Sequence, residues 1–313
     1  MLDRMLLNVN LAAVSMDGKR FFYENMLRRA KKLPYELIWG QERAEYILSY
    51  CCPPNLARLM AQMSEYAYAL DESGVYTVLY GASRARISLP GRGEEAFILI
   101  QETEYPYDGA VRFTFEKERE QQRELNGFAL HLRIPAWVRS AKLRLGNRTN
   151  GREISLQTLR REDAGTYLTV WVDKPQETEV LLELGMEARL TCAHSLVEET
   201  VNQVAVERGP LVYCMEGMDA PVETIDDLFI PSDISLQPEL FEIGGRTVTA
   251  LTGTFLKKRT DGKDGYDRQA LYQDYVDRGY EKIKGRMIPY FAWDNRGMDE
   301  MRIWMPVTDV RSL

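Results

Sequence analysis

Two adjacent cysteines, Cys51-Cys52, closed by Pro53-Pro54-Asn55, are the residues of this chain best placed to do chemistry. Neighbouring side chains normally point into different surroundings, so keeping two thiols at one place requires irregular backbone. Pro53 and Pro54 impose it by fixing φ and removing two amide donors. A proline pair also suits the first turn of a helix, and a thiol beside the positive end of a helix dipole ionises more easily. Three readings stand at this point: a pair of buried small side chains, a vicinal disulfide acting as a redox switch, or a zinc-thiolate site in which one thiolate is also a nucleophile.

Other chemistry has little support. The two histidines, His131 and His194, have no metal-ligand partner at helical spacing, and His131 alternates with apolar neighbours as a sheet-packing residue does. No Gly-x-Ser-x-Gly elbow occurs, and Gly91-Arg92-Gly93 reads as a turn rather than a phosphate loop. Carboxylates are plentiful, yet spacing alone does not show which two face each other across a substrate.

The elements that must position the cysteines come in two kinds. Before about residue 70 the pattern is helical. Leu2, Met5, Leu6, Val9, Ala13 and Met16 make one apolar face over residues 2–16, stopped by Asp17-Gly18. Phe21-Phe22-Tyr23 reads as extended, residues 35–50 are ambiguous, and a helix is predicted from Pro54 to about Leu70 with Leu56, Leu59, Met60, Met63, Ala67 and Leu70 as its stripe. These helices cannot bury their own apolar faces and need a partner surface. From Gly74 the period changes to that of strands. Runs such as residues 75–80, 97–100, 111–115, 128–134, 142–145, 167–172 and 180–184 form one β set, and residues 203–207, 211–215, 248–251, 288–293 and 301–305 a second. The polar stretch 257–284 reads as a long loop.

Composition bounds the function. With 313 residues, 45% hydrophobic and 28% charged, the chain is long enough for two domains or more and has ordinary globular composition. Its net charge of −7 argues against nucleic acid as a partner, and the basic cluster Arg28, Arg29, Lys31, Lys32 reads as a solvated face. No apolar run approaches the roughly 18 residues of a membrane helix, so no membrane partner is predicted. Four cysteines are too few for a disulfide scaffold, Cys192 and Cys214 read as buried structural thiols, and the cytoplasm is the expected compartment.

Five boxes occur in order: Gly18-Lys19-Arg20-Phe21-Phe22-Tyr23, Cys51-Cys52-Pro53-Pro54-Asn55 with its helix, Leu132-Arg133-Ile134-Pro135-Ala136-Trp137, Val206-Glu207-Arg208-Gly209-Pro210-Leu211-Val212-Tyr213, and Ile288-Pro289-Tyr290-Phe291-Ala292-Trp293. Together they resemble glycoside hydrolase family 127, the β-L-arabinofuranosidases. The resemblance implies a mainly β fold: residues 1–70 as the helical end of a catalytic (α/α)6 barrel, 71–190 as a first β-sandwich, and 191–313 as a second whose last strand can pack on the first. It implies a retaining glycosidase that releases terminal L-arabinofuranose from plant glycans, with Cys51 as nucleophile, Cys51 and Cys52 as ligands of Zn2+, and Tyr23 as a sugar contact or a packed aromatic.

The family's acid/base glutamate, further zinc ligands and sugar-gripping histidines have no counterpart here. The chain is therefore expected to be a carboxy-terminal part of such an enzyme, inactive in isolation, with an arabinose-containing glycan as partner and either a separate chain supplying the barrel or a homodimer. The contrasting expectation is a non-catalytic β-sandwich protein that binds carbohydrate or a partner.

Overall fold

A computed structural model of the chain describes residues 1–31, 40–93, 95–118, 124–259, 270–272, 274–275 and 279–309. Lys32, Trp39 and the middle of the 257–284 stretch lie outside the described residues. The chain is mainly β, and none of its described helices is long and apolar enough to cross a membrane. It divides into two units: Pro54–Glu187, and Met1–Pro53 together with Ala188–Leu313. The division falls after Pro53 and after Glu187, so residues 1–53 group with the carboxy-terminal strands and residues 54–70 with the strands that follow them.

The unit Pro54–Glu187 holds two sheets. The six-stranded one is antiparallel throughout, in the order Ser83–Ser88, Ala96–Thr103, Ala110–Lys117, Thr178–Leu184, Ser140–Asn147, Glu153–Arg160. The four-stranded one runs Tyr167–Val172, Phe128–Arg133, Gly74–Thr77, Tyr68–Leu70, with its central pair parallel. The alternation read in the sequence places Leu99, Phe113, Phe115, Val180 and Leu182 of the first sheet in one buried cluster with Val75, Phe128, Leu130, Leu132 and Val172 of the second. Each such side chain contributes about 1.5–3 kcal/mol when taken fully out of water.

In the other unit, ten strands join in one sheet. Leu211–Glu216, Tyr280–Pro289, Arg246–Lys258, Leu228–Pro231, Met305–Thr308 and Gln203–Arg208 follow one another, and the last pairs back onto Leu211–Glu216, so the ladder closes into a ring. Met305–Thr308 pairs with Gln203–Arg208 and Leu228–Pro231. The predicted loop at 257–284 is shorter than expected. Strand pairing continues to Lys258↔Tyr280, supported by the cross-strand Lys257–Glu281 ion pair at 2.8 Å.

The amino-terminal helix departs from its predicted face and length. It spans residues 2–12, with π-helical turns at Met5–Asn10, and buries Asp3, Leu6, Asn8 and Ala12 while Met5 and Val9 stay half exposed. Polar anchoring explains this. Asn8 Nδ2 donates to the carbonyl of Pro210 at 2.9 Å, and its Oδ1 accepts from the amide of Val212 at 2.7 Å. The helix stops early because the Ser15 hydroxyl accepts from the Lys19 and Arg20 amides, competing with the helical ladder. The turn signal at Asp17-Gly18 holds: Gly18 sits at φ +75°, a conformation glycine adopts without strain.

The helix after the prolines is Cys52–Gln62, followed by a 3-10 turn at Met63–Tyr66. It ends well before Leu70. Tyr68–Leu70 forms a strand because Asp71 Oδ1 accepts from the Ser73 and Gly74 amides and folds the chain back as a hairpin onto Gly74–Thr77. Of the predicted stripe, Leu56 is buried, while Leu70 is 40% exposed.

Candidate active site

Cys52 opens the helix and Pro53-Pro54 occupy its first turn, as the proline pair requires. Cys51 lies just before it. Both thiols are exposed, and their sulfurs are 3.1 Å apart. The Ser49 hydroxyl lies 3.5 Å from the Cys51 sulfur. That hydroxyl, and next the Cys52 thiol, hold Cys51 below the ordinary thiol range. Cys52 is shifted the opposite way, first by its hydrogen bond with Cys51 and then by local desolvation. The pair therefore gives up its first proton from Cys51, leaving a thiolate with the Cys52 thiol as a donor beside it.

Tyr23 fixes the approach to this pair. Its hydroxyl accepts from the amides of Leu48 (2.7 Å) and Ser49 (3.0 Å) and donates to the Ser49 carbonyl (3.2 Å). Tyr23, Ser49, Cys51 and Cys52 thus form one connected chain of contacts, and the three residues singled out from sequence come together. Ser49 was not among them. Its position two residues before the first cysteine is the signal that the sequence reading passed over.

A buried stack holds this segment to the carboxy-terminal strands. Phe22 lies on Trp293 with centroids 4.8 Å apart and planes 13° apart, and Arg43 covers Phe22 at 4.3 Å. Arg43 donates to the carbonyls of Trp293 and Ala12, both at 2.9 Å. Burial pushes its guanidinium down to about 10, against the pull of Asp294. Arg29, read from sequence as part of a solvated basic face, is only 2% exposed. It pairs with Asp294, donates to the Asp299 carbonyl at 2.7 Å and lies 4.7 Å from the Trp293 ring. The strand Arg28–Arg29 pairs with Met301–Arg302, which draws Arg29 inward and leaves Arg28 outside.

The phenylalanine-tyrosine box and the box ending in Trp293 therefore meet in space. Phe21 and Ala44 exchange backbone hydrogen bonds at 2.9 and 2.8 Å, tying the same segment to the residues that lead to Cys51.

His131 packs against the ring of Tyr76 with centroids 3.9 Å apart, the sheet role its alternation predicts, and His194 accepts from the Leu196 amide. Cys214 is buried as expected, but Cys192 is exposed. Among the described residues no group of three His, Cys, Asp or Glu side chains could hold a metal. The donor set at Cys51-Cys52 is soft and suits zinc, but it amounts to two of the roughly four ligands a closed site uses.

An exposed thiol pair stands before a helix on a mainly β scaffold, and comparison with known proteins gives the chain its family. Three models of one family match it in order: the GH127 catalytic domain of the β-L-arabinofuranosidases over residues 1–65, the GH127 middle domain over 74–186 and the family 127 C-terminal domain over 188–306. The chain belongs to glycoside hydrolase family 127.

It is 30% identical over 311 residues to a non-reducing end β-L-arabinofuranosidase of Bifidobacterium longum subsp. longum, covering 97% of this chain and 44% of that protein. A solved structure described as a glycoside hydrolase is 39% identical, with a TM-score of 0.85, over 98% of this chain and 48% of its own. Ara127N-Se, a GH127 β-L-arabinofuranosidase from Geobacillus stearothermophilus T6, is 30% identical with a TM-score of 0.82, over 98% of this chain and 46% of its own. The chain spans about half the length of these relatives.

Proposed function

We propose that this chain is the nucleophile-bearing part of a retaining β-L-arabinofuranosidase, with Cys51 as the attacking thiolate and Cys52 as its zinc-binding neighbour. The observation that carries the reading is the Cys51–Cys52 contact at 3.1 Å, with Ser49 supporting the first sulfur. The proposed architecture is the end of an (α/α)6 barrel at residues 1–70 followed by two β-sandwiches, in keeping with the order of the family models.

The reaction follows from the thiolate. Cys51 Sγ attacks the anomeric carbon of a terminal L-arabinofuranose, a C–S bond forms as the glycosidic C–O bond breaks, and the departing oxygen takes a proton from a general acid. Water then attacks the anomeric carbon opposite the sulfur, giving its proton to the group that served as general acid; the C–S bond breaks, the thiolate returns, and the two inversions retain configuration. Zinc, which Cys51 and Cys52 would hold in part, would supply positive charge that favours the ionised sulfur. Ser49 donates to that sulfur, and Tyr23 holds the backbone that presents Ser49.

Among the described residues no third His, Cys, Asp or Glu side chain joins the two thiols as a possible metal ligand. Turnover is accordingly proposed to need the rest of the catalytic domain. The test is to join the chain to the barrel half of the Geobacillus relative and assay release of L-arabinose. The joined protein is expected to be active and its Cys51→Ala variant to lose activity at least ~1,000-fold, as loss of a covalent nucleophile does. Full activity of Cys51→Ala sinks the assignment.

A further inference from the structure

A polar groove of about 620 Å³ lies on the carboxy-terminal strands, with no assigned role and none of the residues of the thiol site in its wall. Its floor follows from strand register. Gln237, Thr252 and Arg286 occupy one cross-strand row, and Thr254 and Lys284 the next. Between the rows Gly253 and Gly285 face each other. A Cβ at Gly253 would stand 2.8 Å from Leu236 Cδ2, and one at Gly285 2.9 Å from Phe255 Cδ2, so packing on one face of the strands requires glycine at both. Side chains alternate along a strand, so Thr252, Thr254, Lys284 and Arg286 share the opposite face. Ser235 and Asp219 complete the wall.

The lining decides the ligand class. No large apolar side chain lines it, so a lipid tail or an aromatic ring finds no broad apolar floor there. Asp219 is held by Arg296 (2.8 Å to Oδ1), and Arg286 donates to Glu239 at 3.2 Å while stacking on Phe241 at 4.0 Å, so most of the charge is compensated and a phosphate would meet a carboxylate. The wall is a mixture of donors and acceptors that bond one another: the Gln237 side-chain amide donates to the Ser235 hydroxyl at 2.9 Å, the Thr252 hydroxyl to the Gln237 backbone carbonyl at 3.4 Å, and the exposed Lys284 ammonium to the Thr254 hydroxyl at 2.9 Å. Sugar hydroxyls both donate and accept, and they match such a wall.

We infer that this groove is a second carbohydrate site, which takes a neutral oligosaccharide away from the thiols. The inference shares with the proposed function only the choice of a glycan, and Cys51 plays no part in it.

The test is amide-resolved NMR titration of the whole chain with neutral arabino-oligosaccharides and, separately, with oligosaccharides of uronic acids. Neutral sugars are expected to shift the amides of Gln237, Thr252, Thr254 and Lys284. The double variant Thr254→Val/Lys284→Met is expected to weaken binding about tenfold or more, and Cys51→Ser to leave it unchanged. Circular dichroism of the double variant establishes that it is folded, and the single variant Gln237→Leu tests the opposite wall. Shifts confined to other surfaces, binding that the folded variants do not weaken, or binding of the uronates alone overturns the inference. Loss of the Cys51 assignment with these shifts intact leaves the groove standing.

Discussion

The Ser49 hydroxyl lies 3.5 Å from the Cys51 sulfur, whereas the Cys52 thiol has the Cys51 sulfur as its neighbour at 3.1 Å. This asymmetry makes two chemically identical neighbours unequal: Cys51 is the easier thiol to ionise and Cys52 the harder. Near neutral pH the thiolate fraction therefore rises on Cys51, and limiting iodoacetamide is expected to label Cys51 before Cys52. Ser49→Ala removes the leading cause of the lowered value and is expected to slow Cys51 labelling at pH 7 several-fold. Peptide mapping reads both outcomes, and equal labelling of the two thiols counts against the asymmetry.

Thiol counting separates the remaining cysteines. Cys51, Cys52 and Cys192 are exposed and Cys214 is buried. A colorimetric thiol reagent is expected to titrate Cys51, Cys52 and Cys192 in the folded chain, with Cys214 reacting only after denaturation. Burial also raises the Cys214 thiol well above its usual range, which reinforces its inertness.

Tyr23→Phe keeps the ring and deletes the hydroxyl that binds the Leu48 and Ser49 backbone. The expected cost is about 1–2 kcal/mol in denaturant unfolding, since each net hydrogen bond contributes about 0.5–1.5 kcal/mol and these are partly exposed. Hydrogen exchange at the Leu48 and Ser49 amides is expected to speed up while that of Leu211–Glu216 stays unchanged. Unaltered exchange at 48 and 49 removes Tyr23 from its positioning role.

Arg29→Ala leaves Asp294 buried without its cation and takes the guanidinium off Trp293. Breaking a buried pair from one side costs about 3–5 kcal/mol. Equilibrium unfolding by urea measures it, and a cost under about 1 kcal/mol means that Arg43, 3.6 Å from the same carboxylate, compensates.

Acid stability has a local signature at the hairpin of the Pro54–Glu187 unit. The Ser73 hydroxyl, with the Gly74 and Ser73 amides and the Tyr76 hydroxyl, brings Asp71 from 3.8 down to about 2. The folded value is depressed, so the stabilisation is present above pH 3.8 and is lost as pH falls toward about 2. Asp71→Asn is expected to flatten the pH dependence of unfolding within that window and to leave it unchanged above pH 5. A wild-type slope retained in the variant assigns the effect to another carboxylate.

Local features were legible in the residues alone. Adjacent cysteines followed by two prolines dictate irregular backbone and then a helix, because proline removes donors and sets φ wherever it stands. Alternation set the strands of the first β set, since inward and outward side chains differ in every second residue. Five ordered boxes carried the family resemblance for a related reason: each is a contiguous run of residues.

Contacts distant along the chain were decided only by the tertiary structure. Arg29 reads as a surface cation until its strand is paired with Met301–Arg302 and Asp294 is brought beside it. The amino-terminal helix turns its Asn8 face inward because Pro210 and Val212 offer backbone partners some two hundred residues away. Tyr23 becomes a brace for the thiol segment rather than a bare aromatic because its hydroxyl reaches Leu48 and Ser49. In each case a buried polar group must find a partner, and periodicity carries no record of which distant group provides it.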